Sequence, residues 1–298
     1  MIHHASCPVC ESGPVVPSFS AKDYTVSSER FSISLCANCT AMFTQDIPSQ
    51  ERIGAYYASD NYVSHSNTQK GLVNRLYHRI RRITLVSKRK LVQSHTKRFS
   101  GEILDVGCGT GAFLNEMRGA GWSITGLEPD DTARKNAKQL FNIEPQQPND
   151  LFTLPEKKYD AITLWHVLEH IHQLQEYVIR FRELLSPDGV LFIAVPNYTS
   201  YDADVYKEFW AAYDVPRHLY HFSPKSMQIL MDHNGLEVVR MKPMWFDSYY
   251  VSMLSEQYRT GKSNIVRAFF VGAISNLKAL FNVGKCSSVI YVIRKIKN

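Results

Sequence analysis

The chain has 298 residues, 44% hydrophobic and 21% charged, a balance that supports a globular core and excludes a disordered or collagen-like chain. No run of about 18 uncharged apolar residues occurs, which argues against a membrane-spanning helix. Met1-Ile2-His3-His4 lacks the charged-then-apolar layout of a signal peptide, so a cytoplasmic location is expected. The net charge of +6 is unevenly spread. Between Asp60 and Glu102 there is no acid, while Lys70, Arg75, Arg79, Arg81, Arg82, Lys88, Arg89, Lys90, Lys97 and Arg98 supply ten cations. The remaining 24 basic residues face 28 acids, so a basic segment sits on a mildly acidic body.

At the front of the chain, Cys7-Pro8-Val9-Cys10 and Cys36-Ala37-Asn38-Cys39 are two C-x-x-C knuckles separated by 25 residues. Four thiolates so spaced suit tetrahedral Zn²⁺, and the alternation Arg30-Phe31-Ser32-Ile33-Ser34-Leu35 reads as a ribbon strand between them. A closed four-sulfur site leaves no open position, so the expected role is structural. A zinc ribbon is thus predicted over 1–45. A linker and basic helical segment follow over 46–99, its helix over Asn74–Phe99 carrying Leu76, Ile80, Ile83, Val86 and Leu91 at helical spacing. The interleaved Tyr57 and Tyr62 either pack the ribbon or line the substrate site. The cations present a solvated face or meet an anionic lipid surface, a phosphorylated substrate or RNA.

From residue 100 to 298 strands and helices alternate. Ile103-Leu104-Asp105-Val106-Gly107-Cys108-Gly109-Thr110-Gly111 is an apolar strand breaking into a glycine loop, where backbone amides approach a ligand and a helix begins. The expected elements are that helix over 112–121, strand 122–127, helix 130–141, a weak strand near Ile143, strand 159–164, helix 171–185 and strand 189–196. Beyond them, 198–222 is read as a substrate loop overhanging the carboxyl ends of the strands. In it, Trp210 to Phe222 crowds aromatics with Tyr213, Asp214, Arg217, His218 and His221. Helix 224–234, strand 236–241, a helical insertion over 248–282 and a last strand over 286–294 complete the chain. Within the insertion, 265–281 is apolar apart from Arg267 and Lys278, as in a buried helix or an interfacial one.

The glycine spacing also fits the dinucleotide pattern, and Glu128 lies 21 residues past Gly107, where an acid binds ribose hydroxyls. Asp105 separates the two readings, since an acid two residues before the first glycine is tolerable beside a cationic amino acid end and unhelpful beside a pyrophosphate. With Asp105-x-Gly107-x-Gly109-x-Gly111, Glu128, Asp150-Leu151, Tyr159-Asp160-Ala161-Ile162 and Leu184-Leu185-x-Pro187-x-Gly189, the stretch 100–196 resembles the class I S-adenosylmethionine-dependent methyltransferases. The resemblance implies an α/β fold: a doubly wound, mostly parallel, seven-stranded Rossmann-like sheet whose final strand is antiparallel. It implies S-adenosyl-L-methionine as cofactor, held by Asp105, Gly107, Cys108, Gly109, Gly111, Glu128, Pro129, Asp150, Leu151, Trp165 and His166. The front end resembles the zinc-ribbon methyltransferases of sugar and cell-surface polysaccharide pathways. His166-Val167-Leu168-Glu169-His170 resembles the turn of ubiquinone-pathway O-methyltransferases, in which an E-x-x-E-H pattern can bind a divalent ion; His166 stands here for the first acid.

The function expected is methyl transfer to a small-molecule, glycan or lipid-linked biosynthetic intermediate, at oxygen or carbon. His218 or His221 is the expected general base, because histidine titrates near neutrality. Tyr213, Asp214, Arg217, Tyr57 and Tyr62 are the expected substrate contacts. Peripheral contact with the inner membrane face is expected through 70–98 and 265–281. The alternative is an RNA methyltransferase whose ribbon and basic segment bind RNA.

Overall fold

The computed structural model describes residues 1–57, 72–262 and 264–297, with backbone alone over 72–80. Tyr62 and Lys70 lie outside the described residues. In chain order the elements are β1 (Val15–Lys22), β2 (Arg30–Cys36), β3 (Met42–Thr44), α1 (Leu72–Thr96), β4 (Glu102–Val106), α2 (Ala112–Gly119), β5 (Ser123–Leu127), α3 (Asp131–Phe141) and β6 (Tyr159–Trp165). They continue as α4 (Leu174–Leu184), β7 (Leu185–Pro196), α5 (Tyr201–Tyr206), β8 (Tyr220–His221), α6 (Pro224–His233), β9 (Leu236–Pro243), α7 (Asp247–Thr260), α8 (Ile265–Phe281) and β10 (Ser288–Lys295).

Two sheets result. A six-stranded sheet runs β5-β4-β6-β7-β10-β9, with β4 parallel to both β5 and β6, and a four-stranded sheet runs β1-β2-β3-β8 with each pair antiparallel. The class is the α/β one expected, but among the described residues the large sheet has six strands, not seven. The weak strand near Ile143 is reduced to a single bridge between Leu127 and Gln146. Pro145 and Pro148 flank that bridge, and a residue without an N–H cannot extend a ladder.

The described residues pack as two compact units. One comprises those of Met1–Asn61, His166–Val178 and Ile193–Tyr291, and the other those of Tyr62–Trp165, Ile179–Phe192 and Val292–Asn298. In the second unit Ile103 of β4, Phe113 and Met117 of α2, Ala161 of β6 and Phe192 of β7 form one core. The local signals are orthodox: Gly111 enters α2 in the left-handed region at φ 75°, and Asp130 caps α3 by accepting from the Ala133 N–H at 2.6 Å.

In the first unit, Ala21, Phe31 and Ile33 of the ribbon strands share a core with Tyr206, Trp210, Tyr213 and Val215. The segment 198–222 is therefore not a bare loop. It holds α5, two 3₁₀ turns and β8, which adds the fourth strand to the ribbon sheet through Met42–His221 and Phe43–Tyr220 pairs. Buried Asp202 fixes it from beneath, accepting from Trp210 Nε1, Ser275 Oγ and Ser287 Oγ, each at 2.7 Å.

Candidate functional site

The second unit carries the glycine loop. Gly107, Gly109 and Gly111 all have positive φ, between 55° and 75°, which side chains rarely adopt. The turn is closed by Gly107 and Cys108 N–H groups donating to the Leu127 carbonyl, and by the Gly109 N–H donating to Glu128 at 2.8 Å. Glu128, buried at the end of β5, accepts also from the Asp130 N–H at 3.0 Å. A Cβ built on Gly109 would meet no atom within 4 Å, so the glycine opens onto free space.

Asp105 sits deeper than expected. Its carboxylate is 1% exposed inside the sheet and accepts from Thr163 Oγ1 at 2.6 Å; burial pushes it up to about 7 against that hydrogen bond. Cys108 is buried too, its thiol pushed up by burial and by the nearby Asp105 and Glu128, which makes it a packing residue rather than a nucleophile.

Of the other expected cofactor contacts, Pro129 is exposed, with its carbonyl accepting from Arg134 at 2.9 Å. Asp150 closes a capping box by accepting from the Gln147 N–H, and Leu151 is fully buried. Trp165 packs edge-on against Phe113, and its buried indole N–H finds no partner among the described residues.

Two cations of α1 join this site, although the sequence suggested only a basic face. Arg81 donates to Thr110 of the glycine loop at 3.4 Å, and Lys88 Nζ lies 4.3 Å from the Trp165 ring. Their separation of seven residues, two helical turns, was the available signal. S-adenosylmethionine fits these residues on two counts: the open space at Gly109 for its methionine end and the orphaned Trp165 donor.

In the first unit, His166 to His170 begins directly after β6 and joins residues of the 210–222 segment. His166 Nε2 lies 2.8 Å from Asp247 and its Nδ1 3.4 Å from Glu169. Burial opposes charging of this imidazole, but the two carboxylates raise it to about 10, so it is an imidazolium. That pairing is what the described residues give it, and Asp247 was not anticipated.

His170 Nδ1 lies 3.0 Å from the Arg217 carbonyl and from Tyr57 Oη, and His218 Nδ1 lies 2.8 Å from the Ala212 carbonyl. A carbonyl only accepts, so both rings carry their proton on Nδ1 and present a bare Nε2. Burial and the neighbouring His218 hold His170 down to about 4, and the two rings meet edge-on at 4.6 Å. Ligand atoms of Glu169, His170 and His218 lie within 4.8 Å of one another. Glu169 is fully buried, and His166 Nδ1, at 3.4 Å from one oxygen, makes a long ion pair with it.

Three expected residues are built into the core instead of lining a site. Thr44 gives its hydroxyl proton to the His218 carbonyl and so accepts from His221 Nε2–H at 3.2 Å. That ring, 3% exposed and packed edge-on against Tyr213, is held neutral by burial. Tyr213 is buried between Trp210, Phe19 and His221. Arg217, with no exposed side-chain surface, donates to Asp214 at 2.7 and 3.0 Å, to Asp23 at 2.9 Å and to the Tyr56 carbonyl at 2.8 Å. Arg217 and Asp214 thus tie the ribbon to the 210–222 segment, since a buried guanidinium needs its charge matched.

The four ribbon cysteines are buried and unbridged. Cys7 and Cys39 Sγ lie 3.6 Å apart, as do Cys10 and Cys36 Sγ, and all four fall within 4.8 Å of one another. Tetrahedral Zn–S bonds of about 2.3 Å put sulfurs roughly 3.8 Å apart. The Val9 and Ala41 N–H groups each point at a sulfur at 3.4 Å, the backbone support a thiolate site requires. Glu11 and Thr40, directly after each knuckle, take positive φ of 54° and 62° in the place where glycine is easiest.

A protein-family profile described as "Methyltransferase domain" matches residues 77–241, more than half of the chain. The ubiquinone biosynthesis O-methyltransferase of Actinobacillus pleuropneumoniae serotype 7 (strain AP76) is 35% identical over 112 residues, covering 34% of this chain and 48% of that protein. The protein of the same name from Rickettsia bellii (strain OSU 85-389) is 25% identical over 203 residues, covering 62% and 82%. The match thus spans about half the length of the first of these relatives. A solved structure from Galdieria sulphuraria, provisionally named a sarcosine dimethylglycine methyltransferase, superposes with a TM-score of 0.51 at 18% identity, covering 78% of this chain and 93% of that one.

Proposed function

This chain belongs to the methyltransferase-domain family, and on that premise we propose that it transfers a methyl group from S-adenosylmethionine to an oxygen or carbon of a small-molecule, glycan or lipid-linked biosynthetic intermediate. The family match over 77–241 carries the reading, and the relatives named ubiquinone biosynthesis O-methyltransferases support a small acceptor. The cofactor, when bound, supplies the electrophilic methyl. The protein's task is to hold the acceptor, exclude water and remove a proton. Gly107 to Gly111, Glu128, Asp150, Leu151 and Trp165 hold the cofactor, with Arg81 and Lys88 of α1 added to them.

His218 is the general base of this reading. Its Nδ1 is pinned to the Ala212 carbonyl, so Nε2 offers a lone pair. His221 drops out because its Nε2 proton is already given to Thr44. Tyr57, hydrogen-bonded to His170, is the remaining substrate-side phenol. A second reading of the same cluster rests on its geometry: the buried carboxylate of Glu169, with His170 and His218, holds a divalent ion, as the resemblance of this turn implies. Loss of turnover on chelation at a concentration that spares the ribbon metal separates the second reading from the first.

The four cysteines hold structural zinc. The protein acts in the cytoplasm, with peripheral contact at the inner membrane face through 70–98 and 265–281. The RNA reading draws less support, because Arg89 is paired with Glu116 at 2.8 Å and Lys88 lies on Trp165. The test is transfer of labelled methyl from S-adenosylmethionine into a fractionated cell extract. Label in a small or lipid-extractable product is expected. Intact cofactor binding without transfer to any fraction, or transfer into RNA, overturns the proposal.

A further inference from the structure

Helices α7 and α8 are packed inside out. The residues α7 buries are Ser248, Ser252, Ser255 and Glu256, and those α8 buries are Ala268, Val271, Gly272, Ser275 and Ala279. Their seam is tight: a Cβ on Gly272 would stand 2.9 Å from Tyr249 and 3.1 Å from the Ser248 carbonyl. Small residues draw the two backbones together, and buried Glu256 of α7 clamps them through Arg267 of α8 at 3.1 Å, with Arg259 of its own helix at 3.4 Å.

The large apolar side chains point the other way. Phe269 is 57% exposed, Phe270 60%, Leu280 67% and Phe281 87%, while Trp245 and Phe246 at the start of α7 are 38% and 46% exposed. Trp245, just ahead of α7, and Ala273, Asn276, Leu277 and Leu280 of α8 line one open depression, so Trp245 continues the apolar face of α8. Water penalises a continuous surface of this kind, and soluble monomers rarely carry one. Small residues at a helix–helix seam with large apolar residues outside is the arrangement used where the surroundings are themselves apolar.

The charge pattern names the surroundings. From Gln257 to Tyr291 there is no acid, while Arg259, Lys262, Arg267, Lys278 and Lys285 are all basic. With 17 residues and a rise of about 1.5 Å each, α8 is roughly 26 Å long. No described helix is long and apolar enough to cross a membrane. A phenylalanine- and leucine-rich face bordered by cations, without acids, is the composition of a helix lying in the plane of an anionic bilayer surface. A second copy of the chain fits less well, since a two-fold seam on α8 sets this acid-free stretch against its own copy and leaves the cations there without carboxylates to meet.

We propose that the α7–α8 hairpin seats the protein on anionic membranes, with Phe269, Phe270, Leu277, Leu280 and Phe281 entering the lipid and Lys262 and Lys278 meeting the headgroups. It deepens the lipid-linked reading above and rests on it for biological sense. The experiment is flotation of the full chain with phosphatidylcholine vesicles, with and without phosphatidylglycerol. Recovery with the anionic vesicles and little with the neutral ones is expected. Phe269→Ser with Phe270→Ser is expected to cut recovery by about tenfold or more, and Lys278→Glu to lower it on anionic vesicles alone. Because Phe269 and Phe270 are more than half exposed and give up chiefly the stacking of Phe269 on Tyr249, the melting temperature should fall by only a few degrees. Equal recovery on both vesicle types, serine variants that float like the wild type, or a lipid-free dimer abolished by the same variants each overturns the proposal. None of these readouts uses methyl transfer, so failure here is distinguishable from failure of the enzymatic reading.

Discussion

Replacing Arg217 by methionine tests whether this residue is a structural tie or a substrate contact, the role its position in the sequence suggested. The change keeps most of the apolar stem and removes the guanidinium. Asp23, with no exposed side-chain surface, then loses the cation that, against burial, helps hold its carboxyl down to about 2. Breaking a buried pair from one side costs about 3–5 kcal/mol. Asp23 keeps the Thr25, Val26 and Ser27 N–H donors and the Ser27 hydroxyl, which argues for the lower end. A loss of about 3 kcal/mol lowers the melting temperature of a chain this size by roughly 6–12 °C. Adding Asp23→Asn removes the stranded charge and should restore more than half of that loss. The assay is calorimetry at neutral pH alongside the Michaelis constant for the acceptor once identified. A loss under about 1 kcal/mol combined with a raised Michaelis constant would refute the structural assignment.

Other outcomes follow from the same geometry. His218→Ala should lower turnover by about 10²- to 10⁴-fold with cofactor binding intact, whereas His221→Ala should cost about 1–3 kcal/mol of stability through the lost Thr44 hydrogen bond; unchanged turnover in the first removes His218 from the mechanism. Metal analysis should find one zinc per chain, and Cys39→Ser should abolish it and lower the melting temperature; a zinc-free chain of unchanged stability would sink the ribbon assignment. His166 is raised from 6.5 to about 10, so the stability it contributes is fully present below its ordinary value and is lost as pH rises through about 10. The urea midpoints of wild type and Asp247→Asn should therefore differ most below pH 6.5 and converge towards pH 10, and a gap independent of pH would contradict the ion pair.

The glycine loop, Glu128 and the four cysteines were legible because each rests on chemistry local in sequence: positive φ, a strand-terminal acid, a knuckle of two thiols. What the sequence hid are pairings across distance. Arg217 looked like a free cation in a loop because its partner Asp23 lies 194 residues away. His221 looked available because the strand that buries it, β3, belongs to the ribbon. Asp105 was read as facing the ligand, and Thr163 on the neighbouring strand turned it into an interior hydrogen bond. The α8 pattern was ambiguous for another reason, since a helix with apolar residues on one side does not say which side is wet. Only the serines and glycine on the opposite side, seen packed, decide it.

The pairing of β3 with β8 reaches into how the chain is made. On the ribosome the ribbon's cysteines emerge early, but the strand that completes their sheet arrives only with Tyr220 and His221. Until then β3 carries an open edge, the kind of surface on which unfinished chains stick to one another. The ribbon is thus first in sequence and late to be finished. A fragment ending before residue 220 should aggregate where the full chain stays dispersed, and excising the ribbon as a module should require carrying β8 with it.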